Sequence, residues 1–317
     1  MSDQLLSVVI PVLNEEGMVG PLVDALRPVL DGLDLGWNIL FVDDGSTDHT
    51  LERLRALSLG EPRIKAISFS RNFGKEQAMA AGLRYAKGDC VLIMDADLQH
   101  PPEYIPEFIR LWRQGSKVVF GQRNHVADGF LRRAYSNVFH VVFGVLAGAR
   151  LPRGIVDFVL LDRNAVQAMN ALDERTRFTK GMFTWIGFNT AVVPFDVGER
   201  LAGQTRFNFW KLLRFGLDGI VSFSTLPLRM WSYVGVVISL SALLYSVYFL
   251  IKTLLFRADV PGFPSLLVAI FFFAGVQMIS LGVIGEYVGR IFDEVKRRPL
   301  YIVAEEVGIT EASRDHA

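Results

Sequence analysis

The chain has little cysteine and no excess of charge. Cys90 is the only cysteine among 317 residues, and 33 Lys and Arg residues balance 33 Asp and Glu residues. One cysteine excludes a disulfide bond within the chain and a metal site built from cysteines alone. A balanced charge offers nucleic acid no general attraction, so we predict no nucleic-acid partner. The N-terminus also lacks a basic region followed by a long apolar stretch, and so it does not indicate secretion.

Two common nucleotide-binding motifs are missing as well. No Gly-x-Gly-x-x-Gly follows the first apolar stretch, and Gly-x-x-x-x-Gly-Lys-Ser/Thr does not occur. The sequence therefore supports neither a dinucleotide-binding fold nor a P-loop.

Apolar residues are abundant, at 51% of the chain, and two uncharged stretches near the C-terminus hold many of them. These stretches, 230–251 and 260–285, contain 22 and 26 residues. Each is longer than the roughly 20 residues that a helix needs to cross a bilayer. We predict a transmembrane hairpin with helices at 230–256 and 262–288. The alternative is a pair of core helices in a soluble protein.

Basic residues lie mainly on one side of this predicted hairpin. The connecting loop has only Lys252 and Arg257, whereas more basic residues precede the first helix and follow the second. Positive charge favours the cytoplasmic side. We therefore expect a multi-pass protein of the inner (cytoplasmic) membrane, with the N-terminal domain and both termini in the cytoplasm. The flanking basic residues are Arg206, Lys211, Arg214, Arg229, Lys296, Arg297 and Arg298.

The segments beside the hairpin predict helices in the membrane interface. Residues 206–229 combine a broad apolar face with Lys211, Arg214 and Asp218 elsewhere, which suits an amphipathic helix lying on a bilayer. Residues 289–317 are predicted to form a cytoplasmic juxtamembrane helix and tail beside it. The alternative is a helix packed inside a soluble core. The lipid bilayer is thus a predicted partner.

Residues 1–205 predict an α/β domain. Short apolar stretches alternate with stretches of helical periodicity. This alternation favours a Rossmann-like, mostly parallel sheet with right-handed crossovers. Strands are predicted at 5–12, 37–42, 64–69, 90–94 and 117–121, and helices at 14–33, 75–88 and 102–112.

Acidic or polar residues follow three of these strands. They are Asn14 and Glu15 after the first, Asp44 after the second, and Asp95 and Asp97 after the fourth. Carboxylates bind phosphate poorly but bind metal ions, base N–H groups and sugar hydroxyls, so we predict a nucleotide-sugar ligand. Asp95 and Asp97 would repel each other unless Mg²⁺ or Mn²⁺, shared with a diphosphate, lies between them. The alternative for these two residues is an ordinary acidic turn.

A series of motifs resembles the family 2 inverting glycosyltransferases, which have the GT-A fold. More narrowly, the chain resembles the polyprenyl-phosphate hexose transferases similar to dolichol-phosphate mannosyltransferase. Within that group it is most similar to the bacterial branch that loads glucose or a related sugar onto undecaprenyl phosphate. The motifs extend from residue 6 to about residue 303: Pro11-Val-Leu-Asn-Glu-Glu16, Val42-Asp-Asp-Gly-Ser-Thr-Asp48, Asn72-Phe-Gly-Lys75, Asp95-Ala-Asp-Leu-Gln-His-Pro-Pro-Glu103, Gly121-Gln-Arg123, Arg200-x-x-Gly-x-Thr-Arg206, Asp218 to Arg229, and Gly285 to Tyr301.

The resemblance implies a set of donor-binding residues. The nucleoside would meet Pro11, Leu13, Glu15, Val42 and Asp44, and the diphosphate would lie near Asp95, Ala96, Asp97, Gln99, Arg123, Arg200 and Arg206. Asp95, Asp97 and Gln99 would hold the metal ion, with Asp97 and Gln99 favoured as ligands. Leu13 departs from the family, which often has Tyr there, so stacking on the base would be lost. Thr205-Arg206 stands where Ser-Lys is more usual, which keeps the charge but changes the contact geometry.

The same resemblance implies an acceptor site and catalytic carboxylates. Arg132, Arg133 and Ser136 match the acceptor-phosphate site, although a solvated basic pair is an equal alternative for the two arginines. Asp97 and Asp157 are the expected catalytic residues, and the apolar residues directly after Asp157 predict a further strand. A phosphate acceptor is already largely ionised at neutral pH, so Asp157 is expected to position substrate rather than to remove a proton.

Together these features predict a membrane-anchored enzyme that transfers a hexose from a nucleotide-sugar to a polyprenyl phosphate with inversion. Glucose from a UDP-sugar to undecaprenyl phosphate is the favoured reaction, and transfer from GDP-mannose is the alternative. A processive polysaccharide synthase is disfavoured because Gln-x-x-Arg-Trp is absent. A catalytically silent nucleotide-sugar sensor is disfavoured because Asp95, Asp97 and Asp157 are all present. The sequence leaves open whether the protein forms a homo-oligomer.

Overall fold

A computed structural model describes residues 4–124, 154–172, 174–175, 177–196, 226–256 and 262–309. The chain divides into two compact units. One unit comprises residues 1–216 together with 299–317, and the other comprises residues 217–298.

The first unit is built on an eight-stranded sheet. Its strands are β1 Leu5–Val12, β2 Gly36–Asp43, β3 Ile64–Phe69, β4 Cys90–Ile93, β5 Val118–Arg123, β6 Ile155–Asp162, β7 Thr190–Phe195 and β8 Val303–Val307. Their spatial order is β7-β5-β6-β4-β1-β2-β3-β8. Four neighbouring pairs are parallel, namely β1–β2, β1–β4, β2–β3 and β5–β7, and the β4–β6, β5–β6 and β3–β8 pairs are antiparallel. The prediction of an α/β domain with a mostly parallel sheet is confirmed.

Helices connect most of these strands. They are α1 Val19–Asp31, α2 Thr50–Gly60, α3 Lys75–Tyr85, α4 Ile105–Arg113, α5 Arg163–Asn170 and α6 Thr179–Trp185, with a 3₁₀ turn at Pro102–Tyr104 before α4. Helix α1 packs on the sheet because its apolar residues repeat at helical spacing and are buried together: Val19, Leu22, Val23, Leu26 and Leu30.

Helix α1 begins later than the sequence predicted, at Val19 rather than near Asn14. The backbone N–H groups of Asn14 and Glu16 donate to side chains of the loop after β2, and that of Glu15 donates to Thr50, the first residue of α2. Residues 14–16 therefore form part of the loop at the carboxyl edge of the sheet, and the helix starts only after them.

The antiparallel direction of β6 was not predicted, and it changes the surroundings of Asp157. The sequence predicts a strand that starts after Asp157, whereas Asp157 is the third residue of β6. Ile93 of β4 pairs with Val159 of β6. Because the two strands run in opposite directions, the start of β6 lies beside the end of β4. Asp157 is thereby brought to the edge where Asp95 follows β4.

The second unit contains two long helices, α7 Leu226–Phe256 and α8 Phe263–Val295. Their apolar side chains are exposed; Tyr233, Leu244 and Phe271 each expose more than two thirds of their surface. Within the described residues one segment, Ala269–Val295, has the length and mean hydropathy, 1.7, of a membrane span. A shorter apolar segment, Tyr233–Tyr245, lies in α7.

Two predictions about the flanks of the hairpin have different outcomes. Most of the predicted interfacial helix, 206–225, lies outside the described residues. The juxtamembrane helix predicted from residue 289 is not separate, because α8 continues through it to Val295. The following tail includes β8, which pairs with β3 at the edge of the sheet. No local sequence signal had indicated that strand.

Candidate active site

A cleft of about 280 Å³ lies at the carboxyl edge of the parallel strands, within the first unit. Open α/β sheets place their ligands at this edge because loops from neighbouring strands converge there. The cleft is lined by Pro11, Val12, Leu13, Glu15, Asp44, Asn72, Gly74, Lys75, Ala78, Asp95, Ala96 and Asp97. Seven of these residues belong to the predicted donor site: Pro11, Leu13, Glu15, Asp44, Asp95, Ala96 and Asp97.

The other predicted donor residues have different positions. Val42 is fully buried in β2 and does not line the cleft. Gln99 follows Asp97 on the same loop, and Arg123 Nη2 is 3.4 Å from Gln99 Oε1, which places Arg123 beside that loop. The remaining predicted residues, Arg132, Arg133, Ser136, Arg200 and Arg206, lie outside the described residues.

The loops after β1 and β2 hold each other in place. Asn14 N donates to Ser46 Oγ at 2.9 Å, and Thr47 N donates to Asn14 Oδ1 at 2.8 Å. Asn14 has a φ of 55°, in the left-handed region that asparagine tolerates better than most residues. This reversal directs the chain from Leu13 to Glu15 along the cleft wall, which explains why an asparagine precedes Glu15.

Asp44 shapes the cleft as well as lining it. Its carboxylate accepts hydrogen bonds from Phe73 N at 2.7 Å and from Gly74 N at 2.9 Å. Burial raises the pKa of Asp44, and these two hydrogen bonds offset part of that increase. Asp44 therefore fixes the turn that leads into α3. Its contact with the nucleoside stays a prediction.

His100 fixes the loop that carries the Asp-x-Asp residues. Asp95 N donates to His100 Nδ1 at 3.1 Å, which requires a neutral ring protonated on Nε2. Burial lowers the pKa of His100 and so favours this neutral form. The ring stacks on Phe158 at 5.1 Å between centroids and contacts the edge of Phe195 at 6.0 Å. His100 lies in a motif of the sequence, but no role was predicted for it.

Two lysines surround Asp157 and Asp95. Lys75 Nζ is 2.5 Å from Asp95 Oδ1 and 2.7 Å from Asp157 Oδ2, and Lys180 Nζ is 3.2 Å from Asp157 Oδ1. Burial alone would raise the pKa of Asp157, but the ammonium groups of Lys180 and Lys75 lower it to about 2. The same contacts raise the pKa of Lys75, despite its burial. Asp157 is therefore ionised at neutral pH and is a weak proton acceptor.

Neither lysine was predicted to be a site residue. Lys75 belongs to the motif Asn72-Phe-Gly-Lys75, which the resemblance to glycosyltransferases includes without implying a role for the lysine. Lys180 lies in α6 and had no motif to identify it. The antiparallel β6 brings these side chains to Asp157, and only knowledge of that strand's direction could have found them.

The carboxylates of the cleft suit a hard cation only in part. Burial raises the pKa of Glu15, and the nearby negative charges of Asp97, Asp48 and Asp95 raise it further. Among the described residues, no group of three His, Cys, Asp or Glu side chains is arranged to hold a metal ion. Asp95 and Asp97 supply oxygen donors of the type that Mg²⁺ and Mn²⁺ prefer. These two residues fit an ion whose remaining ligands come from a bound diphosphate.

Known protein families and relatives match this chain over nearly its whole length. Residues 7–168 match the family model described as glycosyl transferase family 2. The chain belongs to this family. Residues 226–291 match a second family model, the GtrB C-terminal hairpin. The chain is therefore a glycosyltransferase, and the C-terminal match covers most of α7 and α8.

Several relatives are similar along almost their entire length. An uncharacterized glycosyltransferase of Synechocystis is 46% identical over 305 residues, covering 96% of each chain. A prophage bactoprenol glucosyl transferase homolog of Escherichia coli is 40% identical, covering 94% of this chain and 98% of that one. A bactoprenol glucosyl transferase of Shigella phage SfV is 41% identical, covering 95% and 98%.

Proposed function

We propose that this glycosyltransferase moves glucose from a UDP-sugar to a polyprenyl phosphate of the undecaprenyl type, with inversion at the anomeric carbon. The observation that carries the proposal is the acidic cleft at the carboxyl edge of β1, β2 and β4, which contains Asp95 and Asp97 beside the Lys75–Asp157 cluster. Similarity to bactoprenol glucosyl transferases over 94–95% of this chain supports the acceptor and the sugar.

The proposed reaction breaks one bond and forms one bond at the anomeric carbon. An oxygen of the acceptor phosphate attacks that carbon, and the carbon–oxygen bond to the diphosphate breaks, leaving the electron pair on the diphosphate. The attacking phosphate is ionised at neutral pH, so no base has to remove a proton. Asp157, with a pKa of about 2, instead keeps Lys75 and Lys180 in place near the reacting groups.

The leaving diphosphate needs positive charge because the acceptor is also an anion. We propose that Asp95 and Asp97, together with Gln99, hold Mg²⁺ or Mn²⁺ against it. When bound, the ion supplies charge neutralisation for the departing diphosphate. Arg123, Arg200 and Arg206 are the proposed arginine partners of the donor phosphates, and Arg132, Arg133 and Ser136 are proposed to bind the acceptor phosphate. Guanidinium groups suit both tasks because they pair with phosphate in a two-pronged geometry.

We propose the following arrangement at the membrane. Residues 1–205 form the cytoplasmic catalytic domain, 206–229 an interfacial helix, 230–256 and 262–288 two membrane spans, and 289–317 a cytoplasmic segment. The exposed apolar side chains of α7 and α8 support burial of both helices in lipid. A reporter fused after Ala317 should then be active in the cytoplasm. Activity of that reporter only in the periplasm would contradict this topology.

The reaction can be tested directly with purified protein in detergent. The protein should be incubated with undecaprenyl phosphate and a panel of UDP- and GDP-linked hexoses, and the lipid product should be identified by mass. We expect glucosyl lipid from UDP-glucose, and loss of the product in excess EDTA with recovery on adding Mg²⁺ or Mn²⁺. Product from GDP-mannose alone would replace the proposed donor, and donor binding without any product would indicate a sensor.

A further inference from the structure

The turn formed by residues 70–74, called here the donor-site turn, connects β3 to α3. It contributes Asn72 and Gly74 to the cleft and leads directly into Lys75, the first residue of α3 and also a cleft residue. On one side it is held by Asp44, through the hydrogen bonds from Phe73 and Gly74 described above. The position of three cleft residues therefore depends on how this turn is supported.

The C-terminal tail supports the other side of the donor-site turn. Ser70 N donates to the carbonyl oxygen of Ile302 at 3.0 Å. The ring of Tyr301 stacks on Phe69, with 5.0 Å between centroids and 12° between planes. Phe69 in turn meets Phe73 edge to face at 5.7 Å. A continuous row of three aromatic rings thus joins the tail to the turn.

Tyr301 lies just beyond an irregularity in the backbone pairing of the tail. β8 pairs with β3 as Ala66 with Val307 and Ser68 with Glu305, and then, after a register shift, as Phe69 with Val303. The regular ladder is therefore interrupted just before the donor-site turn. Next to the turn, the hydrogen bond from Ser70 to Ile302 and the stacking of Tyr301 on Phe69 continue the attachment of the tail.

We infer that Tyr301 is a positioning residue for the donor site: its ring holds the donor-site turn, and hence Asn72, Gly74 and Lys75, in the conformation that receives the nucleotide-sugar. The inference rests on the proposed function for the identity of that ligand. A preformed turn lowers the ordering cost of binding, so loss of the ring weakens donor binding rather than the bond-making step. The tail that follows α8 in the chain is in this way a part of the donor site.

The test compares Tyr301→Ala with Tyr301→Phe in the full-length protein in detergent. Aromatic pairs contribute an amount that corresponds to a two- to tenfold change in affinity. We expect Tyr301→Ala to raise the KM for UDP-glucose by about that factor, with the KM for undecaprenyl phosphate and kcat close to wild type. Tyr301→Phe keeps the ring and should restore the wild-type value. Tyr301→Leu, which keeps apolar volume without a ring, should behave like Tyr301→Ala.

A matched control lies at the far end of β8, the strand that follows Tyr301. Val307→Ala weakens the packing of β8 beside Ala66, away from the donor-site turn. Val307→Ala should lower the melting temperature by about as much as Tyr301→Ala does. It should nevertheless leave the KM for the donor unchanged. An equal rise in donor KM for Val307→Ala and Tyr301→Ala, or no rise for Tyr301→Ala, would overturn the inference.

Hydrogen exchange separates this inference from the proposed reaction. Amide protons of residues 69–76 should exchange faster in Tyr301→Ala than in wild type without any substrate, and not faster in Tyr301→Phe. Faster exchange in Tyr301→Ala would support the positioning role even if the wild-type protein made no glucosyl lipid. In that case only the proposed function would be wrong. Unchanged exchange in an active Tyr301→Ala protein would instead remove the positioning role alone.

Discussion

The two sides of the cleft are held together by different forces. On the side formed by the loops after β1 and β2, Asn14 and Asp44 accept hydrogen bonds from neutral backbone N–H groups. On the side formed by β6, α3 and α6, Asp157 meets the ammonium groups of Lys75 and Lys180. The first side is defined by hydrogen bonds that fix the backbone conformation. The second side is defined by a balance of charges, which the negative charges of the proposed donor and acceptor would alter.

The largest expected effect is at Asp97, which lines the cleft. Asp97→Asn should lower kcat by about 10²- to 10³-fold, the usual result of removing one preorganised electrostatic group. It should also weaken metal-dependent donor binding, measured by calorimetry. Arg132→Ala should differ in kind, with a raised KM for polyprenyl phosphate and nearly unchanged donor affinity. Equal loss of donor binding in both variants would contradict the proposed division between donor and acceptor residues.

The charge balance around Asp157 should affect how stable the protein is in acid. The pKa of Asp157 in the folded protein, about 2, is below its ordinary value of 3.8, so its ionised form stabilises the fold above about pH 4. That contribution, about 2 kcal/mol, is lost as the pH falls from 4 towards 2. Asp157→Asn should lower the unfolding midpoint at pH 7 and flatten its decline in acid. Near-ultraviolet circular dichroism in detergent can follow the unfolding midpoint at pH 7 and at lower pH. A midpoint that falls in acid as steeply in Asp157→Asn as in wild type would contradict the prediction.

The side defined by backbone conformation should respond to a single methyl group. Gly45 has a φ of 71°, and a Cβ there would lie 2.4 Å from the carbonyl carbon of Arg71. Gly45→Ala should therefore destabilise the protein by about 1–2 kcal/mol and raise the donor KM. Gly20→Ala is the control, because a Cβ at that position in α1 meets nothing within 4 Å. Equal melting temperatures for the two variants would show that the loop tolerates the methyl group.

The smallest expected effect concerns an ion pair outside the cleft. Arg55 and Glu305 are joined by two hydrogen bonds of 2.7 and 2.6 Å between α2 and β8, at the surface. Exposed pairs of this kind contribute little, so Glu305→Gln should leave turnover within about twofold of wild type. Kinetics at low and high salt should show no difference between the two proteins. A larger loss of turnover would mean that the Arg55–Glu305 ion pair is needed to hold the tail, as the lysine contacts are at Asp157.

Much of the candidate site follows from sequence because parallel strands end at the same edge. Glu15, Asp44 and Asp95 each come directly after an apolar strand, and this is enough to bring them together in the cleft. The resemblance to known glycosyltransferases added Pro11 and Leu13, which also line it. It also named Val42, whose side chain is buried in β2 and does not line the cleft. A strand's apolar pattern does not by itself show which residue at its end remains accessible.

The remaining features depend on pairings between distant parts of the chain. Lys75 and Asp157 are far apart in sequence, and they meet because β6 runs antiparallel to β4. Local periodicity identifies a strand but not its direction, so this contact has no sequence signal. β8 is an extreme case, since its short sequence resembles many polar tails and its partner, β3, lies more than two hundred residues earlier.

That separation sets the order in which the protein can be completed during synthesis. β3 is made early, but β8 leaves the ribosome only after both long helices have been made. At common rates of translation the β3 edge waits roughly 10 to 50 seconds for its partner. An unpaired edge strand invites association with other chains during that interval. Nascent chains of this protein are therefore exposed to misassembly until α7 and α8 have been synthesised and β8 has paired with β3.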